Sequence, residues 1–158
     1  MSTRSQVIIK DDYAEQWFYR HSDGYPAGNL PCLYKYMLWL KKGLIRDNVE
    51  QSSGWLVLIG AEEYGYDYDY KTGDNIKKKT VTEPSQDKFS GWKHGAYEIC
   101  PCKDRHGDIE WLYTIDIVNQ DITIEETREG KEVVLTFAEL EEYKDKFEDF
   151  EEDFFGGA

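Results

Sequence analysis

Two pairs of histidine and aspartate share one spacing and are the residues best suited to chemistry. His21 is followed two positions later by Asp23, and His106 is followed in the same way by Asp108. Side chains two residues apart on a strand project to the same side. Each pair could therefore bind a metal, or its carboxylate could orient the imidazole as a general acid or base. If the fold gathers both pairs, they would form a small hydrolase site.

The same residues are also typical of turns. The Asp23 side chain can accept hydrogen bonds from nearby backbone N–H groups, and Gly24 tolerates a positive φ. The segment from His106 to Asp108 contains a glycine and suits a hairpin loop. Because short motifs of this kind often arise by chance, we favour the turn interpretation. We therefore predict neither a metal nor a cofactor and assign no catalytic residue.

A second candidate is an anion pocket around the same corner of the chain. Its residues would be Thr3, Arg4, Arg20 and Arg46, with Tyr25 or Trp17 stacked on a base. Arginine offers planar, bidentate donors to phosphate or carboxylate, and aromatic rings stack on nucleobases. A nucleotide or another small anionic ligand would suit this site. The alternative is that the arginines pair with carboxylates of the protein, as buried arginines usually do.

The C-terminal segment is strongly acidic. Residues 139–153 hold nine Asp or Glu against two Lys. A row of carboxylates along a helix can contact a cationic surface, or mimic a phosphate backbone towards a basic partner. The predicted contact residues are Glu141, Glu142, Asp145, Glu148, Asp149 and Glu152. The alternative is a solvated face on a helix docked by an aromatic stripe, which is the usual meaning of such a charge run.

Residues 65–91 form a predicted mobile insertion with its own composition. Tyr66, Tyr68 and Tyr70 alternate with glycine or aspartate, and Lys77 opens a short basic run. Long loops inside small domains are often functional or mobile. We predict that the three tyrosines make a second contact with a partner.

Composition restricts the class of protein. The formal net charge of −13 disfavours direct binding to nucleic acid, because binding requires phosphate neutralisation. The three cysteines, two of them separated only by Pro101, do not suggest a disulfide framework and fit a reducing compartment. The N-terminus lacks an apolar leader, and no stretch is long enough to span a bilayer. We expect a soluble protein in the host cytoplasm that does not bind membranes.

Periodicity predicts an α+β fold with an antiparallel sheet of about five strands, two central helices and an acidic amphipathic C-terminal helix. The predicted strands are 6–10, 16–21, 96–100, 109–117 and 121–125, and the predicted helices are 30–42, 48–63 and 136–155. Residues 1–135 would form the core domain, residues 136–155 the acidic helix, and residues 156–158 a tail. A capping box is predicted at Thr136 and Glu139, and another at Asp47 and Glu50.

Several blocks resemble a family of small proteins encoded in phage and bacterial genomes. They are the N-terminal Ser2-Thr3-Arg4-Ser5, the motif Tyr19-Arg20-His21-Ser22-Asp23-Gly24-Tyr25-Pro26, and the later blocks 46–50, 54–64 and 106–113. The resemblance covers about residues 1–64 and 91–125. It implies no catalytic residue, since the family has no established activity. It does imply a setting in which small acidic proteins serve as accessory or counter-defence factors, including inhibitors of the anti-CRISPR kind.

The sequence therefore predicts a non-catalytic binding protein of phage or mobile-element origin. Its acidic helix would occupy a basic surface on a host protein. The alternative is a small hydrolase, or a protein that binds or sequesters nucleotides, with its pocket around His21 and Asp23.

Overall fold

A computed structural model describes residues 2–63, 66–69, 74–77 and 95–156, and it has an α+β architecture. The strands are β1 (Ser5–Lys10), β2 (Glu15–Arg20), β3 (Tyr66–Asp69), β4 (Asp74–Lys77), β5 (Glu98–Cys100), β6 (Trp111–Asp116), β7 (Asp121–Glu126) and β8 (Lys131–Thr136). The helices are α1 (Pro26–Lys41), α2 (Val49–Glu63), α3 (Phe137–Glu141) and α4 (Phe150–Phe155), with a 3₁₀ turn at Phe147–Asp149. Strands β3 and β4 form a separate two-stranded hairpin.

The main sheet has six strands in the order β5-β2-β1-β6-β7-β8. It is mixed, because β1 runs parallel to β6 while the other neighbours are antiparallel. The prediction of an antiparallel sheet of about five strands was therefore wrong in both respects. Strand β8 was missed, and the parallel pair joins segments about a hundred residues apart, which local periodicity does not reveal.

The two faces of the sheet differ because side chains alternate along each strand. On one face Val7, Phe18, Tyr113 and Ile124 are buried with α1 and α2 in the main core. On the opposite face, here called the open face, Ile8, Ile109 and Leu112 form a smaller cluster with Trp17 and Tyr19. On β6 the core face carries Trp111, Tyr113 and Ile115, and Ile117, just after the strand, is also buried.

Helix α1 begins at Pro26, four residues before its predicted start. Proline suits the first turn of a helix because its missing N–H would have no partner there. The carbonyl of Tyr25 accepts hydrogen bonds from the N–H groups of Gly28 and Asn29, at 3.0 and 2.9 Å. Asp23 adopts a left-handed backbone with φ of 58°. The Asp-Gly-Tyr-Pro motif thus turns the chain from β2 into α1.

Helix α2 has the predicted extent but not the predicted cap. The Asn48 side chain accepts a hydrogen bond from Gln51 N–H at 2.8 Å. Asp11, in the β1–β2 turn, accepts one from Val49 N–H at 2.9 Å. The same Asp11 carboxylate accepts the N–H groups of Tyr13 and Ala14. The Asp11 side chain therefore holds the hairpin turn against the start of α2. The predicted cap at Asp47 was based on residues close to α2 in sequence, so it could not include Asp11.

Removing this carboxylate gives a first testable prediction. We expect Asp11→Ala to lower the free energy of unfolding at neutral pH by about 1–2 kcal/mol, as for loss of a helix cap. Hydrogen bonds from the backbone of Val49 and Tyr13 lower the pKa of Asp11 below its usual 3.8. The carboxylate's contribution is therefore present above pH 3.8 and is lost as the pH falls through the lower folded-state pKa. Urea unfolding of the wild-type and Asp11→Ala proteins should show a difference in unfolding free energy that becomes smaller in acid. A difference that does not depend on pH would contradict this role.

The C-terminal segment is not the single helix predicted for residues 136–155. The Thr136–Glu139 capping box is confirmed, but α3 ends at Glu141. Lys146, at φ −147° and ψ 39°, leaves the helical region before the 3₁₀ turn and α4. Four apolar side chains still dock the segment, because Phe137, Leu140, Phe147 and Phe150 are buried. These four side chains hold the segment although the helix is interrupted, whereas Phe154, at the end of the predicted stripe, is exposed.

None of the helices in residues 2–63 and 95–156 combines the length and the apolar character that crossing a membrane would require.

Candidate functional site

The first residue of the Arg20–Pro26 motif, Arg20, lies in the core of the protein. Arg20 has no exposed surface. Its Nε donates to the Ser22 carbonyl at 2.8 Å, and its Nη1 donates to the Tyr97 hydroxyl at 3.3 Å. The guanidinium carbon lies 5.3 Å from the centre of the Tyr97 ring, in cation–π geometry. Arg20 therefore binds the protein's own groups and is closed to an external anion.

A buried polar network continues from this arginine across the start of α1. The Tyr97 hydroxyl donates to the Asn29 side-chain oxygen, and Asn29 Nδ2 donates to Ser5 Oγ at 3.3 Å. Tyr113 donates to the Gly24 carbonyl at 2.7 Å. Burial raises the pKa of Tyr97 well above its usual value, so it remains a neutral donor. The network orients the motif and binds α1 to the sheet.

The proposed anion pocket is not assembled. Arg20 is buried, whereas Arg46 is exposed beyond the far end of α1. The helix has 16 residues, so about 24 Å separates its two ends. Arg4 instead forms an ion pair with Asp108, with 3.4 Å between Nε and Oδ2. Thr3 contributes its carbonyl, which accepts a hydrogen bond from Gly24 N–H, and the Tyr25 side chain is partly exposed.

His21 of the first pair and both residues of the second approach each other around Tyr19, which the sequence analysis did not select as a site residue. The Tyr19 hydroxyl lies 3.2 Å from His21 Nδ1 and 3.5 Å from Asp108 Oδ2. The His106 ring stacks on the Tyr19 ring with 4.7 Å between centroids and 27° between planes. Asp23 lies elsewhere, with its carbonyl and Cβ against Gly28. The signal for Tyr19 was its position two residues before His21 on the same strand face.

This Tyr19 cluster is better suited to packing than to catalysis. Burial, and then the charge of Asp108, raise the pKa of Tyr19, which keeps the phenol protonated. Within the described residues no group of three His, Cys, Asp or Glu is arranged to hold a metal ion. His94, the third histidine, lies outside the described residues. The cluster offers hydrogen bonds and ring contacts between its own members.

The cluster depends on a segment, residues 103–109, that crosses the open face of the sheet. The buried Gln6 side chain donates to the Asp104 carbonyl at 3.0 Å and accepts from His106 N–H at 2.9 Å. Arg105 makes two hydrogen bonds of 3.0 Å to Glu125 on β7. One glutamine on β1 therefore sets the position of His106 above Tyr19.

Substituting this glutamine gives a second prediction. We expect Gln6→Leu to lower the free energy of unfolding by about 1–3 kcal/mol, since leucine cannot satisfy the two backbone groups that Gln6 binds. Urea unfolding measures this loss. Amide exchange at His106 should accelerate, while amides in β7 keep their protection relative to global unfolding. Unchanged exchange at His106 would show that Gln6 does not hold the segment.

The predicted acidic contact residues are mostly exposed. Glu142, Asp145, Glu148, Asp149 and Glu152 are exposed, and we call these five residues the acidic surface. The sixth predicted residue, Glu141, is partly buried and accepts a hydrogen bond from the Tyr34 hydroxyl at 2.9 Å. Glu141 therefore helps to attach the segment to α1 and is less available to a partner.

Aromatic contacts hold the acidic surface in place. The Tyr34 ring stacks on Phe137 with 5.7 Å between centroids and 7° between planes. Tyr143 packs edge-on against Phe150 at 5.3 Å, and its hydroxyl donates to Asp153 at 2.8 Å. Tyr34 is a positioning residue that the sequence analysis did not select, because its contacts lie about a hundred residues away. The carboxylates are thus presented from a packed base.

The predicted second contact is described only in part. Tyr66 and Tyr68 lie on β3, which pairs with β4 in antiparallel register. Tyr70 lies outside the described residues. The contact with a partner remains a prediction.

Comparison of the chain with protein-family models, curated proteins and solved structures found no significant match.

Proposed function

We propose that this chain is a non-catalytic binding protein that covers a basic surface of a partner protein with its acidic surface. The observation that carries the proposal is the exposure of five carboxylates on a segment that buries Phe137, Phe147 and Phe150. Such an arrangement directs charge outwards from a fixed backbone. It suits recognition of lysine and arginine side chains.

Two physical arguments support this function. The net charge of −13 attracts a cationic partner at long range and speeds association, an effect that salt weakens. Buried phenylalanines at positions 137, 147 and 150 hold the backbone before binding, so less conformational entropy is lost on association. Charge complementarity then supplies specificity and a fast association rate.

The finer proposal concerns the partner. The N-terminal blocks resemble phage and bacterial proteins, a setting in which inhibitors of host defence occur. A basic groove that normally binds nucleic acid would accept a row of carboxylates in place of phosphates. We propose that the partner is a host protein with a basic groove of this kind. The chain would occupy the groove and act as a counter-defence inhibitor.

The test compares two variants of equal charge. In the first, the acidic surface is neutralised to Asn or Gln at positions 142, 145, 148, 149 and 152. In the matched control, five exposed carboxylates elsewhere are neutralised, at positions 12, 98, 104, 129 and 132. Proteins captured from a bacterial lysate by the wild-type chain should be retained by the control and lost by the first variant. Equal loss from both, or retention by both, would reject the acidic surface as the contact.

One observation supports a second candidate function: His21, His106 and Asp108 all contact Tyr19. This alternative is a small hydrolase or a nucleotide-sequestering protein acting at the Tyr19 cluster. A thermal-shift screen with mononucleotides and phosphate esters tests it. Stabilisation that disappears in His21→Ala but persists in the neutralised acidic variant would favour the alternative over the binding protein.

A further inference from the structure

A cavity of about 270 Å³ lies at the opposite end of α1 from the Arg20–Pro26 motif. It is formed by the last turn of α1, the connection between α1 and α2, the end of β6, the β6–β7 turn and the start of α3. The apolar part of its wall consists of Met37, Leu40, Ile115, Ile117 and Phe137, and the polar part of Lys41, Asp47, Asp116 and Gln120. An apolar wall with a few polar groups is typical of small-molecule sites, and this volume suits a small one.

The charges around the cavity favour a cation. Two carboxylates, those of Asp47 and Asp116, and one ammonium group, that of Lys41, line the cavity. The C-terminal end of α1 adds the negative partial charge of its last carbonyl groups. Both Asp116 oxygens accept hydrogen bonds of 3.0 Å from Asn119, which fixes this carboxylate.

Lys41 shows where a cation would lie. Its Nζ is 4.7 Å from the centre of the Phe137 ring, in cation–π geometry. Lys41 is exposed, and Phe137 is almost completely buried. The Lys41 ammonium group lies over a fixed ring and is carried by a flexible side chain. The ammonium group of a ligand can take its place, because the face of the ring attracts any cation.

The β6–β7 turn is joined to the start of α3 beside this cavity. Gln120 has a φ of 54°, in the left-handed region that is common in hairpin turns. Its carbonyl accepts a hydrogen bond from the Phe137 N–H at 3.1 Å, which ties the turn to the wall of the cavity.

We infer that this cavity binds a small organic cation, with an apolar body against Ile115, Ile117 and Phe137 and an ammonium group near Asp47. The ammonium replaces the Lys41 side chain over the Phe137 ring. This site is separate from the acidic surface and requires no partner protein.

The first test compares three probes of similar size: 2-phenylethylammonium, 2-phenylethanol and phenylacetate. Amide chemical shifts of the full chain report binding. We expect saturable shifts with the cation at Ile117, Gln120 and Phe137, weaker binding of the alcohol, and the weakest binding of phenylacetate. Absence of saturable shifts at these residues, or binding of phenylacetate as tight as that of the cation, would overturn the inference.

Two single substitutions with opposite expected effects make the second test. Asp47→Asn should weaken binding of 2-phenylethylammonium by about fivefold, a typical size for one exposed charge pair. Lys41→Gln should strengthen it by about the same factor, because the internal competitor is removed. Asp104→Asn makes the same change of charge at an exposed residue of the crossing segment and should leave the affinity within about twofold. Equal weakening by Asp47→Asn and Asp104→Asn, or a lower affinity of the Lys41→Gln protein for the cation, would reject this cavity as the site.

Discussion

Replacing Gly60 by alanine is expected to lower the free energy of unfolding by about 2–3 kcal/mol, although alanine is the better helix former. A Cβ atom at this position of α2 would lie 2.4 Å from Cδ2 of Tyr97 and 3.1 Å from Cβ of Ala96. Tyr97 has little room to move, since its hydroxyl is bonded to Asn29 and Arg20. The substitution must therefore disturb the buried polar network. Urea unfolding followed by circular dichroism measures the loss.

The same helix offers a matched control. Gly54 is exposed, and an added Cβ there would have no atom within 4 Å. Gly54→Ala should raise the free energy of unfolding by about 0.5–1 kcal/mol, through helix propensity alone. If Gly60→Ala were also stabilising, α2 would not pack against Tyr97 as closely as the structure has it.

Replacing Arg20 by leucine is expected to cost about 3–5 kcal/mol of unfolding free energy. The Ser22 carbonyl and the Tyr97 hydroxyl would lose a buried donor, and leucine would not fill the space of the guanidinium. Chemical denaturation should show a markedly lower midpoint. Arg20→Lys should recover only part of the loss, because an ammonium group cannot reproduce the planar fork.

Arg46 provides the comparison for this prediction. It is exposed beyond the end of α1, so Arg46→Leu should change stability by no more than about 0.5 kcal/mol. If the Arg20→Leu protein were instead stable but no longer bound a nucleotide or phosphate that the wild-type protein binds, the result would support the proposed anion pocket. A loss of stability therefore indicates that Arg20 has a structural role, whereas a loss of ligand binding without a loss of stability indicates a binding role.

Local patterns predicted most of the elements near the site. The aromatic strand β2, the helix α2 and the Thr136–Glu139 capping box follow from residue alternation, apolar content and capping residues that lie close in sequence. Helix α1 was placed four residues late because Pro26 was read as part of a turn, whereas proline also suits a first helical turn. These features depend on neighbours within a few residues, which a sequence displays directly.

Long-range contacts account for what the sequence analysis missed. The parallel pairing of β1 with β6 and the role of Asp11 as a cap for α2 both join distant segments. The break after α3 was hidden because the apolar stripe continues through it. At the candidate site, the arrangement of His21 and His106 around Tyr19 depends on Gln6, which fixes the crossing segment from the neighbouring strand. The wall of the organic-cation cavity combines residues from α1, β6, α3 and the segments that follow α1 and β6, so no single motif could predict it.

The salt dependence of partner binding tests the central proposal most directly. The dissociation constant of the complex with a captured basic partner is measured over a range of salt concentrations, for the wild-type chain, the variant with a neutralised acidic surface, and the control of equal charge. The proposal predicts a steep loss of affinity with salt for the wild-type and control proteins, and weak binding with a shallow salt dependence for the variant. Identical salt dependence in all three would contradict it and would assign binding to another part of the molecule.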